Sequence, residues 1–200
     1  MTAGRNNAES LSQHWCTPPK YVTAVRRFFL GEIALDPCSN PYSIVKATVE
    51  YSLPETDGLA ASWKYPTIYV NPPYGSDRVR GTTIRDWLRK CADAHAKHGA
   101  EVLALVPVAT NTRHWKQYVF GAATAVAFLY DTRLRFRVDG KDGGKGAPMS
   151  CAMIYWGPQY ERFESVFIRF GAVVDVRHLH NKVVGTGEHP TLFKSAENAV

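Results

Sequence analysis

An α/β fold, with a mostly parallel sheet covered by helices, is predicted by three observations. Segments with apolar residues at helical spacing alternate with short apolar runs that suit strands, the pattern of helix-covered parallel sheets. Two hundred residues suit one domain with a core of its own. A composition that is 45% hydrophobic and 21% charged is that of a folded chain and excludes a disordered or fibrous one. The expected organisation is a single domain over 1–200, with its core at about 15–177. The polar segment 1–12 and the tail 181–200 are expected to be flexible.

The elements follow in order. Pro18 and Pro19 open a first helix, because a missing N–H costs nothing in the first turn. Tyr21, Val22, Val25, Phe28 and Phe29 form its buried stripe up to Gly31, and residues 33–35 make a short strand. Residues 41–63 read as irregular, with a short helix or strand near 45–51. A strand over 67–70 must stop at Asn71, because two consecutive prolines remove two ladder donors. The clearest helix spans 82–98: Ile84, Trp87, Leu88, Cys91 and His95 share one face, and Gly99 supplies the stop. A buried strand over 102–106, a helix over 112–120 and a strand over 123–130 come next. Leu134, Phe136 and Val138 alternate with Arg133, Arg135 and Arg137, giving a strand there one apolar and one basic face. Residues 139–148, with four glycines and two lysines, read as a flexible loop. A strand over 150–156, an amphipathic helix over 160–170 and a strand over 172–176 complete the series.

No apolar run approaches the roughly 18 to 20 residues that cross a bilayer, and residues 1–14 lack the apolar core of a signal peptide. The expectation is a soluble, cytoplasmic protein. Cys16, Cys38, Cys91 and Cys151 stand far apart without a CxxC pair and read as reduced thiols. His95 with His98, and His178 with His180, find no cysteine or acid cluster at zinc-like spacing, so no metal is expected. A net charge of +6 favours an anionic partner such as nucleic acid.

The most informative tetrapeptide is Asn71-Pro72-Pro73-Tyr74, at the end of an apolar strand and followed by Gly75. Ligands of open parallel sheets sit beyond the carboxyl ends of strands, where this turn falls. Its chemistry suits methylation of an amide-like or exocyclic amine, a poor nucleophile because its lone pair is delocalised. The Asn71 side-chain oxygen and the Pro72 carbonyl can accept the two amine hydrogens and draw the lone pair out of conjugation. The prolines stiffen the turn, and Tyr74 offers a flat face for a planar substrate. Taken alone, the same four residues also read as a proline-bounded strand end. Asp36 ends an earlier strand at the same edge, where a solvated acid is the alternative. Thr17-Pro18 also fits a helix cap.

Trp15-Cys16-Thr17-Pro18, then Leu35-Asp36-Pro37-Cys38-Ser39, then Asp57-Gly58-Leu59 with Trp63, then Asn71 to Gly75, then Leu105-Val106-Pro107 with Thr110, Thr112, Arg113 and Trp115 occur in this order. The ordered set, over residues 15–156, resembles the phage-type DNA N6-adenine methyltransferases. The resemblance implies a class I methyltransferase (Rossmann-like) fold with helices on both faces of the sheet, S-adenosylmethionine as cofactor, DNA as partner, and an adenine flipped from the duplex. It assigns Asn71, Pro72, Pro73 and Tyr74 to the catalytic turn. Trp15, Thr17 and Pro18, with Asp36, Pro37, Cys38 and Ser39, fall to the cofactor. Asp57, Gly58 and Leu59 would approach the cofactor adenine. A phage or prophage source, with action in the bacterial host cell, is implied as well. The glycine-rich GxG of many class I methyltransferases is absent, as it is from the phage members.

DNA contacts are expected from Arg78, Arg80, Arg113, His114, Lys116, Arg133, Arg135, Lys141 and Lys145, and the resemblance places Phe136 near the flipped base. Each has a plainer reading too: a helix start with a buried Trp115 for 110–116, and a solvated edge or a soluble loop for the rest. The rival activities are methylation of cytosine N4 or of protein glutamine, and, from a different class, a basic DNA-binding module without catalysis.

Overall fold

The structure, a computed structural model, describes residues 15–131, 134–138, 141–142 and 149–182. Arg133, Lys145, the segment 1–12 and the tail beyond 182 lie outside the described residues. In chain order the strands are β1 (Trp15–Cys16), β2 (Leu35–Asp36), β3 (Val49–Glu50), β4 (Thr67–Val70), β5 (Glu101–Pro107), β6 (Ala125–Leu129), β7 (Arg137–Val138), β8 (Lys141–Asp142), β9 (Cys151–Trp156) and β10 (Gly171–Asp175). The helices are α1 (Pro19–Phe28), α2 (Ile84–His98) and α3 (Tyr160–Phe167).

Seven strands form the main sheet in the order β10-β6-β9-β5-β4-β2-β3. β3, β2, β4 and β5 run parallel, whereas β9 is antiparallel to both β5 and β6, and β10 is antiparallel to β6. The sheet is therefore mixed, which corrects the expectation of a mostly parallel one. The reason lies in the connection. A parallel neighbour needs a crossover that carries the chain back to the other edge. After β6 the chain instead enters a small sheet, β1-β7-β8, and β9 re-enters from that same edge. An apolar run reads alike in either direction, so the sequence carries no sign of this.

Successive strand residues point to opposite faces, and the buried strand residues fall into two cores. Tyr69, Leu103, Leu105, Met153 and Tyr155 share a core with Tyr21, Val25 and Phe28 of α1 and Phe163 and Phe167 of α3. Ile68, Val70, Val102, Ala104, Ile154 and Trp156 enter a second core with Trp87, Leu88 and Cys91 of α2 and with Trp115. The continuous apolar runs of β5 and β9 match their burial, with alternate residues in the two cores.

Local chemistry sets the ends. Pro19 begins α1, and the Pro18 carbonyl accepts from the Tyr21 N–H at 3.0 Å. The Asp86 carboxylate accepts from the Thr83 N–H at 3.0 Å at the start of α2, and Gly99 ends it at φ 66°. The expected helix at 112–120 winds as a π-helix over Trp115–Phe120, where the Gly121 N–H bonds to the Lys116 carbonyl. The expected loop at 139–148 contains β8, which pairs with β7. α3 ends at Phe167, short of the expected residue 170. Among the described residues no helix is long and apolar enough to cross a membrane.

Candidate active site

β2, β4 and β5 end side by side at one edge of the sheet. β2 stops at Asp36 because Pro37 has no N–H, and β4 stops at Val70 because Pro72 and Pro73 follow Asn71. Leu35 opposes Ile68 and Val70 opposes Ala104, so the Asn71 turn lies between the Asp36 strand end and β5.

The segment 15–17 holds this edge together. The Asn71 side-chain nitrogen donates to the Trp15 carbonyl at 3.0 Å. A carbonyl only accepts, so the nitrogen end of the amide must face Trp15, and Oδ1 is left out of that bond. Thr17 Oγ1 and the Tyr69 hydroxyl form a buried hydrogen bond of 2.7 Å, and the Cys16 thiol reaches Asn40 Oδ1 at 3.4 Å. The Thr17 hydroxyl thus serves the sheet edge, and Pro18, buried beside it, takes the N-cap position of α1.

Tyr74 closes the turn by donating its hydroxyl to the Leu105 carbonyl at 3.2 Å. Its ring meets Trp15 edge to face at 5.8 Å and Phe136 at 5.5 Å, while Trp15 and Phe136 stack at 5.0 Å. The pairing of β1 with β7, which sets Cys16 opposite Arg137, carries Phe136 to this position.

Burial controls the charges. Asp36 is 4% exposed, and desolvation pushes its carboxyl up to about 7 against the opposing effect of the Cys38 N–H at 3.1 Å; Glu50 adds to the rise. Burial also raises the Cys38 thiol and the Tyr69 and Tyr74 hydroxyls, which therefore stay neutral.

A cavity of about 140 Å³ opens beside the turn, with Pro37, Cys38, Ser39, Gly58, Pro73 and Arg80 among its walls. Ser39 Oγ is buried there without a hydrogen-bond partner among the described residues. At Gly58 a Cβ would lie 1.7 Å from the Pro37 oxygen, so only glycine lets these two segments meet. Lys90 of α2 fixes the Gly58 loop by donating to the carbonyls of Gly58, Leu59 and Ala61 at 3.1, 2.5 and 2.6 Å. The Trp63 indole donates to the Gly58 carbonyl at 2.8 Å. Lys90 belongs to no motif: a lysine at the border of an amphipathic helix gives no sign that its ammonium will gather carbonyls from a distant loop.

Asp57 and Arg80, expected at the cofactor and at DNA, meet each other in the structure. Gly58 lines the cavity, but Asp57 accepts the Leu59 N–H at 2.9 Å and pairs with Arg80 at 3.3 Å. Arg80, expected against DNA, also bonds Asp77 at 2.8 Å, because a guanidinium between two carboxylates satisfies its donors there. Leu59 packs against the α2 core. Arg78, Arg113, Lys116, Arg135 and Lys141 are exposed. His114 is half-buried, with Nε2 3.2 Å from Thr112 Oγ1, and burial followed by the nearby Arg85 lowers its pKa. Trp115 is fully buried, with its indole donating to the Pro107 carbonyl. Among the described residues no group of three or more His, Cys, Asp or Glu side chains could hold a metal ion.

A family model described as DNA N-6-adenine-methyltransferase (Dam) matches residues 4–183. No curated protein and no solved structure matches the chain.

Proposed function

Because the chain belongs to the DNA N-6-adenine-methyltransferase (Dam) family, we propose that it transfers a methyl group from S-adenosylmethionine to the N6 amine of adenine in DNA at the Asn71-Pro72-Pro73-Tyr74 turn. One observation carries the reading. Segments far apart in the chain share one cavity wall beside an Asn71 whose amide is oriented by the Trp15 carbonyl, leaving its oxygen for an amine.

The architecture is read as class I, with helices on both faces. Support comes from the antiparallel β9 entering between β5 and β6, and from alternate residues of β5 packing with α1 and α3 or with α2.

The cavity suits S-adenosylmethionine in its donor set. The Ser39 hydroxyl has a hydrogen bond to spend, Asp36 behind Pro37 and Cys38 attracts a cationic ammonium once ionised, and the close Gly58–Pro37 contact leaves backbone walls for a flat ring. Bound there, S-adenosylmethionine supplies an electrophilic methyl on a sulfonium. Asn71 Oδ1 and the Pro72 carbonyl accept the two N6 hydrogens and localise the lone pair. These contacts strengthen as positive charge grows on the nitrogen, which is what lowers a barrier. The prolines hold the accepting groups still, and Tyr74, tethered to Leu105, presents its ring to the extruded base. Arg113, Lys116, Arg135 and Lys141 provide exposed positive charge for phosphates.

The test is to incubate the protein with DNA and labelled S-adenosylmethionine and to identify the labelled nucleoside. N6-methyladenine is expected. Label in 4-methylcytosine, or in protein glutamine, would overturn the reading.

A further inference from the structure

Between the catalytic turn and α2 the chain makes a short hairpin. Asp77 and Thr82 bond each other through their backbones, at 2.8 and 3.1 Å, and Gly81 turns the chain at φ +64°. Asp77 Oδ1 accepts the N–H groups of Val79 and Arg80, both at 3.0 Å, and Oδ2 accepts Arg80 Nε. Arg80 reaches across to Asp57, which ties the hairpin to the cavity loop. All of these bonds fix the backbone of the tip while leaving the Val79 side chain 98% exposed, the highest value among the exposed large hydrophobics of the described residues.

A lone apolar side chain at a surface is ordinary. This one differs in how it is held and where. An isolated exposed valine adds nothing to the core, yet here a carboxylate and a guanidinium are spent on presenting it. Arg80, the next residue, shares a cavity wall with Pro73 of the Asn71 turn, so the exposed Val79 directly precedes a residue of the cavity wall. Arg78 beside it in the chain and Arg85 at the start of α2 are exposed, and Arg85 lies close enough to His114 to affect its titration, which brings the start of α2 near the basic stretch 113–116.

Adenine N6 inside a duplex is engaged in pairing and shielded by stacking, so an enzyme acting on it must unstack the base. Proteins that bend and unstack a duplex insert apolar side chains between base steps. Valine suits the task because its one side-chain torsion is stiff, so little is lost on immobilising it. We propose that Val79 is an apolar wedge that enters the duplex beside the target adenine and holds it out of the stack. The inference rests on the adenine-methyltransferase reading and names the residue that would open its substrate.

The experiment first maps the bases methylated in genomic DNA by the wild-type protein. Two duplexes carrying that site are then compared, with the target adenine opposite thymine or opposite an abasic position, which needs no unpairing. Val79→Ser is expected to slow methylation of the paired duplex by about tenfold or more, and of the abasic duplex by less than about twofold. Val79→Ile should behave as wild type on both, and neither change should move the melting temperature. Equal loss on the two duplexes, or no loss on the paired one, would overturn the wedge. Absence of N6-methyladenine from genomic DNA treated with wild type would instead sink the methyltransferase reading, and the wedge with it.

Discussion

At the carboxyl edge of the sheet, Asn71, Thr17, Tyr74 and Gly58 are each held by a named bond or a backbone contact. Along the rim, Arg113, Lys116, Arg135 and Lys141 stand exposed in solvent. The first region is rigid by construction, since each buried polar group there leaves an unsatisfied partner if it moves. The second depends on charge that solvent screens, so its contributions are graded and interchangeable. On the proposed function, chemistry that needs atomic placement falls to the first, and attraction to a uniform polyanion needs only the second.

The sharpest break of this contrast is Asn71→Ala. It removes an acceptor required as charge develops on the amine, so the methylation rate should fall on the order of 100-fold or more while cofactor binding and folding persist. A wild-type rate in a DNA methylation assay would place the chemistry elsewhere. Gly58→Ala forces a Cβ into the Pro37 carbonyl and should destabilise by about 1–3 kcal/mol while abolishing the rise in Tm caused by S-adenosylmethionine. An intact cofactor-induced shift in this variant would show that the 37–58 contact does not shape the cofactor site.

Asp36 sharpens the comparison through pH. Its folded value of about 7 lies above the ordinary 3.8, so the native state keeps a proton that the unfolded chain has lost. Stability of the cofactor-free protein should therefore fall as pH rises from about 4 to about 7 and then level off. Asp36→Asn should remove that slope and be the more stable protein at about pH 8, while binding S-adenosylmethionine more weakly. Parallel Tm curves for the two proteins would return Asp36 to the ordinary carboxylate range. The smallest effect belongs to the rim: replacing Arg135 and Lys141 together should flatten the salt dependence of DNA binding by up to about 2, with little change in the methylation rate at saturating DNA. An unchanged slope would move the DNA path away from β7 and β8.

Several features were legible because they are local. A proline lacks an N–H wherever it stands, so the end of β4 could be read directly from Pro72 and Pro73, whereas the strand expected at 33–35 lies at Leu35–Asp36. The apolar face of α2 and its glycine stop follow from helical spacing, and the order of the motifs from Trp15 to Trp115 pointed to the family that the match over 4–183 establishes. The contacts of Arg80 with Asp57 and Asp77 were not legible, because an arginine beside the Asn71 turn looks the same in sequence whether it faces phosphate or two carboxylates. Lys90 left no trace at all.

The sequence by itself determined where strands must stop, which helix faces are apolar and which residues can accept hydrogens from an amine, since these depend on each residue's own covalent chemistry and spacing. Only the tertiary structure decided that β9 returns antiparallel from the small sheet, that the Trp15 carbonyl turns Asn71, that Arg80 braces Asp57, and that Val79 is left exposed on a braced hairpin. Those facts depend on which distant segments meet, and a hydrogen bond across such a distance writes no pattern into the chain on either side of it.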